Sequence, residues 1–497
     1  MDNAPHPLTP PLAPSPSTTG EKRSRSPSST NGVLEPSGVG SRSRHAPRAK
    51  RAQVSRACHR CKRLQKGCSE HRPCRRCIEA DLAASCCDPS PRPAASHAIL
   101  APRSPAAHPL LPPAEVVGFC AGRFFARLFP TIPILTEAYV ATLRQRAEAS
   151  PDAPEAYGAV IALCAVVVLQ VEEAEHFSFP GIVHENNALY GRRLFDDAVE
   201  AHRRVHHASL SFDYILLTFL IYACHASLSH HSRAFLFLRE ATTLLLVFPP
   251  DPDPRTAALA NRLFWVLLIS ERSHAIRYRR PVTLQVTAGT PSPDADAGDA
   301  ELAGFRALAA LFRPLDTSFI ALVDQEVDLS FTPSPPALAH IETAINRAVD
   351  HSADLRDTQK ANLRVTQLWL RIILWKLRLR LGHLSDVAPS GANCSMTYLY
   401  PLEVAREAML STRDLPVESV AVHGVGLTEK LFDIACSLVD VLARIPLPRE
   451  EDGVREAQPE DDLRFLRRLI STLPGGESTY VDLLVKHVQT TLPGMVW

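Results

Sequence analysis

No apolar run in the sequence is long enough to cross a bilayer. The most apolar window, Ala159–Leu169, is followed by Gln170, Glu172 and Glu173, whereas a spanning helix needs roughly 20 apolar residues; a buried helix is expected there. The opening MDNAPHPLTPPLAPSP lacks an apolar leader core, so a secretory signal is not expected. There is no glycine-rich phosphate cradle, no βαβ rhythm and little strict apolar–polar alternation, which argues against nucleotide-binding α/β folds and against sheets. Acids are nearly missing between Ser41 and Arg76, where Glu70 stands alone against thirteen Lys and Arg. That stretch carries +12 in a chain of net charge +1, so the rest sums to about −11. A basic module suited to polyanions is thus attached to a mildly acidic body.

The 497 residues are enough for two to four units at about 100–200 residues each. Eighteen of the 42 prolines fall in the first 113 positions. Residues 1–50, rich in Pro, Ser and Arg, cannot bury enough apolar area to offset chain entropy and are expected to be disordered. Their end carries a basic arm (Arg42, Arg44, Arg48, Lys50, Arg51) suited to nuclear import or phosphate binding. Residues 51–90 hold a cysteine cluster, and 91–113 read as a semi-extended, Pro-rich linker. Residues 114–497 are expected to form one large all-α domain.

In that body, apolar residues recur at helical spacing. Helices are expected over 116–128, 155–171, 187–207, 213–227, 232–247, 255–276, 301–312, 336–350, 357–381, 401–411, 427–443, 460–471 and 477–489. In 357–381, Leu363 through Leu379 supply a broad apolar face, with Arg371, Lys376, Arg378 and Arg380 largely outside it. The acidic stretches 294–301 and 450–462 are expected to be surface loops. No heptad run follows the cluster, and the prolines there argue against a coiled coil.

Seven of the twelve cysteines lie between Cys58 and Cys87. The ladder Cys58-x2-Cys61-x6-Cys68-x5-Cys74-x2-Cys77-x8-Cys86 contains two CxxC knuckles, each able to turn two thiolates onto one ion. One zinc would leave two cysteines over, while two zincs require two bridging thiolates. Metal is favoured over a redox pair or a disulfide framework. With every position filled by thiolate, no site stays open for catalytic water.

The stretch Ala57–Cys86 resembles the fungal binuclear zinc-cluster family of transcription regulators, with six spacings in register, Pro73 before Cys74 and basic residues after Cys61. The resemblance implies two zinc ions, with Cys58 and Cys74 bridging, Cys61 and Cys68 completing one site, and Cys77 and Cys86 the other. It also implies a helix after Cys61 that enters the major groove of double-stranded DNA. There the family usually places lysines where this chain has Leu64 and Gln65, so Gln65 is suited to adenine and Arg63 to guanine. Lys62, Arg63, Lys66, Arg72, Arg75 and Arg76 are the expected phosphate contacts.

Residues 124–135, 233–243 (RAFLFLREATT) and 262–284 (RLFWVLLISERSHAIRYRRPVTL) are similar to the same family's helical regulatory region, the last two looking closest to its amylolytic, maltose and quinate activators. The implied function is nuclear, zinc-dependent, sequence-specific transcription regulation, with coactivators or a small-molecule inducer as partners of the body. The alternative is a ligand-responsive or scaffold protein whose zinc module has little base specificity. Ser270, Glu271 and His274, and the Ser229–Ser232 neighbourhood with His230 and His231, lack any nucleophile-elbow or metal-ligand context. They are expected to be solvated, with Glu271 and Arg272, like Arg239 and Glu240, left open as buried ion pairs or surface charges, and no enzyme is expected.

Overall fold

In the computed structural model, the described residues are Cys58, Cys61, Leu64, Cys68, 74–80, 111–149, 153–170, 183, 186–205, 210–293, 299–324, 334–350, 352–386, 394–445 and 458–495. The chain divides into two compact units, Met1–Ser104 and Pro105–Trp497. The basic arm (Arg42, Arg44, Arg48, Lys50, Arg51) and the linker before residue 111 lie outside the described residues.

Among the described residues of the first unit, Cys61 is helical and a turn of helix, α1 (Arg75–Ile78), directly follows Cys74. In the second unit the helices are α2 (Ala114–Arg123), α3 (Glu137–Ala149), α4 (Pro154–Gln170), α5 (Asn187–Arg204), α6 (Phe212–Ser227), α7 (His231–Val247) and α8 (Pro254–Tyr278). They continue with α9 (Ala303–Phe312), α10 (Thr317–Asp324), α11 (Pro335–Arg347), α12 (Asp357–Leu381), α13 (Tyr400–Thr412) and α14 (Val417–Ala421). The last are α15 (Val425–Arg444), α16 (Pro459–Ser471) and α17 (Val481–Thr491). Among the described residues there is no strand, only an isolated bridge between Ser385 and Thr397. The mostly-α expectation holds.

Local chemistry sets the helix ends. Ser211 and Asn186 accept N–H bonds from Tyr214 (3.2 Å) and Leu189 (2.9 Å) at the starts of α6 and α5. Asp253 with Pro254 opens α8, and Gly382, at φ 69°, closes α12 in the left-handed region.

Helix α4 is buried all round, from Ala156 through Leu169 apart from Tyr157, and packs against α2, α3, α5 and α6. Its closest approaches use glycine. A Cβ on Gly158 would lie 2.8 Å from Leu217 Cδ2 and 2.9 Å from Ala201 Cβ. Helices α12 and α15 centre the other half: α12 packs on α9, α11, α13 and α15, and α15 reaches α6, α16 and α17.

Three helices exceed the expectation: α3, α10 and α14. Helix α3 buries only Val140, Leu143 and Ala147, a stripe too narrow to stand out in the sequence. On α12, Arg378 is buried (2% exposed) and Leu379 exposed (45%), the reverse of the expected placement. Arg378 is taken inward by Glu342 (2.8 Å) and the Ser395 carbonyl (3.4 Å). The expected acidic loops are corrected in part, their residues 294–298 and 450–457 lying outside the described residues. Asp299 caps a short turn at Ala300–Leu302, and Asp462 is buried within α16, held by Arg406 at 3.0 Å.

Candidate metal centre

Among the described residues of the first unit, the buried cluster is sulfur alone, and Leu64 and Ile78 are exposed. Cys58, Cys61, Cys74 and Cys77 are fully buried, and their sulfur atoms all lie within 4.8 Å of one another. Cys58 and Cys74 occupy the middle, 3.8 Å apart. Cys77 approaches Cys58 at 3.8 Å and Cys61 approaches Cys74 at 3.7 Å. None of the four is in a disulfide. A tetrahedron of thiolates about 2.3 Å from zinc has edges of about 3.8 Å, so these separations fit a metal ion bound by sulfur.

Backbone N–H groups prepare the site. Cys61 N–H points at Cys58 Sγ (3.4 Å), and Cys58 N–H at Cys68 Sγ (3.4 Å). The N–H of Cys61 leads in holding the Cys58 thiol below its ordinary value. Burial works against ionisation of Cys74, yet hydrogen bonds from Cys77, Cys61 and Cys68 outweigh it and bring the thiol down to about 6. Cys61 moves up, through burial and then its thiol neighbours Cys58 and Cys74. Sulfurs this close cannot all ionise without a cation among them.

Of the expected ligands, the structure thus brings Cys58, Cys61, Cys74 and Cys77 together with partly buried Cys68 alongside, while Cys86 lies outside the described residues. Lys62, Arg63, Gln65, Lys66 and Arg72 also lie outside them. Arg75 and Arg76 project from α1, and Arg75 pairs with Glu79 at 2.9 Å. Leu64 is 45% exposed.

In the second unit, the solvated reading of Glu271 and His274 is corrected: they are 1% and 8% exposed. Arg239 pairs with Glu271 at 2.9 Å, and Glu240 instead accepts the Tyr214 hydroxyl at 3.0 Å. Buried Arg272 donates to the Leu315 carbonyl at 2.6 Å. A concavity between α6, α8, α12 and α15 was not legible in the sequence, because its residues come from distant segments with no shared spacing.

The chain is 23% identical over 257 residues to the probable sucrose utilization protein of Candida albicans, a match covering 50% of each chain. It is 23% identical over 339 residues to a respiratory transcription factor of Saccharomyces cerevisiae, covering 65% of this chain and 67% of that one. A maltose fermentation regulatory protein of the same yeast is 22% identical over 351 residues, covering 67% of this chain and 70% of the relative. The chain therefore spans about half the length of the first of these relatives. No family model matches it, and no solved structure does. The likeness to fungal zinc-cluster regulators, read from the cysteine spacing, stands on these relatives and on the gathered cysteines.

Proposed function

We propose that this protein is a nuclear, zinc-dependent, sequence-specific DNA-binding transcription regulator. The observation that carries the reading is the convergence of the Cys58, Cys61, Cys74 and Cys77 sulfurs, all within 4.8 Å of one another and none in a disulfide. These separations suit sulfur ligation of a metal ion, and the second ion rests on the six-cysteine ladder that continues through Cys68 and Cys86. Cys58 and Cys74 would be shared by two zinc ions, with Cys61 and Cys68 completing the ligands of one and Cys77 and Cys86 those of the other. Bound zinc supplies the folding free energy that so small a segment cannot draw from an apolar core, typically ~10–16 kcal/mol in small modules.

The chain's own residues do the rest. Lys62, Arg63, Lys66, Arg72, Arg75 and Arg76 hold phosphates and set the register on the duplex. Gln65 reads adenine, and exposed Leu64 offers an apolar contact of the kind that recognises a thymine methyl. Residues 1–50 carry the basic arm, 51–90 form the zinc module, 91–113 the linker and 114–497 the regulatory body that recruits partners. The printed names of the relatives speak of sucrose use, respiration and maltose fermentation, and we place this protein in the control of carbon-source genes.

The decisive experiment is selection of duplex DNA by residues 40–90, with zinc counted on the same sample. The reading expects about two zincs per chain and an enriched motif. Equal affinity for random and selected duplexes at matched salt would favour the second reading, a ligand-responsive helical protein with a weakly discriminating zinc module, which the exposed Leu64 at a base-reading position motivates.

A further inference from the structure

A cavity of about 230 Å³ lies in the helical unit between α6, α8, α12 and α15. Phe219, Tyr222, Val266, Ile269 and Leu308 make much of its wall apolar. Two polar groups in the wall are incompletely served: an amine with no carboxylate counter-ion and an imidazole nitrogen with no hydrogen-bond partner.

Lys430, on α15, is the first. Its Nζ donates to Thr366 Oγ1 at 2.8 Å and stands 5.4 Å from the centre of the Trp369 ring. The acids nearby are engaged elsewhere. Glu429 accepts the Tyr278 hydroxyl at 2.7 Å and that of Tyr480, and pairs with Arg277 at 2.7 Å. Asp433 takes Arg277 at 2.5 Å and the Trp369 indole N–H at 2.9 Å. Among the described residues, no carboxylate forms an ion pair with Lys430. Burial, with Arg277 beside it, pushes the amine down to about 7. His274, on α8, is the second: it is 8% exposed, and its buried Nδ1 has no hydrogen-bond partner.

The size of the space narrows the occupant. An apolar cavity of roughly 150 Å³ takes benzene, so this one suits a ring with one or two small substituents. We propose that the cavity binds a small hydroxylated aromatic monocarboxylate, its carboxylate meeting the Lys430 ammonium and its hydroxyl meeting His274 Nδ1. The ring fills the apolar wall, and the ligand supplies the counter-ion that Lys430 lacks and the hydrogen-bond partner that His274 Nδ1 lacks. Retaining a buried amine without an acid costs stability, as binding sites commonly do.

The test uses the full zinc-loaded chain and a series of probes: benzoate, the three hydroxybenzoates and the matching amides. Binding is read by calorimetry and by thermal shift. At least one hydroxybenzoate should bind at millimolar concentration or below, with its uncharged amide about tenfold weaker or more. Lys430→Met should retain its helical signal and melt no lower than the natural protein while losing the difference between acid and amide, and Lys430→Arg should keep that difference. Absence of binding by every acid would overturn the proposal, as would equal binding of acid and amide by the natural protein, a comparison that needs no variant. The assay contains no DNA, so its failure leaves the zinc-cluster proposal intact, and the reverse holds.

Discussion

Arg239 on α7 and Glu271 on α8, thirty-two positions apart, meet at 2.9 Å, and the same carboxylate accepts the N–H groups of Thr283 (2.7 Å) and Leu284 (2.9 Å). One buried side chain thus ties a neighbouring helix to the segment that leaves its own. Glu271→Gln keeps the shape but loses the charge and sets an amide N–H against some of the donors it faces. It is expected to cost about 1–3 kcal/mol, and Glu271→Ala about 3–5 kcal/mol, because truncation leaves Arg239 and two N–H groups without their acceptor. Midpoints of urea unfolding check both values, and a midpoint unmoved in Glu271→Ala would contradict the role.

The metal proposal separates the cysteines by role. Cys58→Ser and Cys74→Ser remove bridging thiolates, so bound zinc should fall from about two toward none. Cys61→Ser and Cys77→Ser each remove a ligand from one ion only and should keep about one. Chelation should abolish DNA binding and unfold the module, as seen by circular dichroism. If Cys58→Ser keeps its full zinc content and its DNA affinity, the bridging assignment is wrong.

Six proposed phosphate contacts imply a slope of about −5 in a plot of log affinity against log salt. Arg76→Ala should flatten that slope by about one on every sequence. Arg75→Ala should do less, since Arg75 already pairs with Glu79 in the free protein. Gln65→Ala should leave the slope alone and relax preference at one base position. Fluorescence anisotropy over a salt series distinguishes these outcomes, and identical slopes for all the variants would count against the phosphate assignment.

Burial pushes His225, His274 and His423 each down to about 4, against an ordinary value of about 6.5. On acidification the unfolded chain protonates these rings before the folded chain does. The stability they confer is therefore complete above about pH 6.5 and is lost as the pH falls toward about 4. Each ring should cost on the order of 2 kcal/mol by about pH 5. Thermal melts of the body between these limits measure the effect, and His274→Leu should shrink it by about a third.

Much of this architecture was legible because strong periodicity survives in the chain. Helix α12 begins and ends where apolar spacing places it, between Arg356 and Gly382. Spacing alone likewise identified the four cysteines whose sulfurs converge. What escaped the sequence depends on partners far along the chain. Nothing around Arg378 announces that Glu342 will receive it, and nothing near Asp462 announces Arg406. Glu271 and His274 fall among polar neighbours that read as a wet face, yet α7 and the segment after α8 enclose Glu271, while Tyr222 of α6 packs against His274. The cavity was invisible for the same reason.

The apolar surface of α4 has a practical consequence for dissecting the protein. Because α2, α3, α5 and α6 together shield it, any fragment that contains α4 but ends before Ser227 or starts after Ala114 strips a side of that helix bare. Such fragments should aggregate when expressed, so the smallest soluble piece that includes α4 must carry all five helices. Deletion mapping that cuts inside this span would report loss of solubility and not the location of a regulatory element.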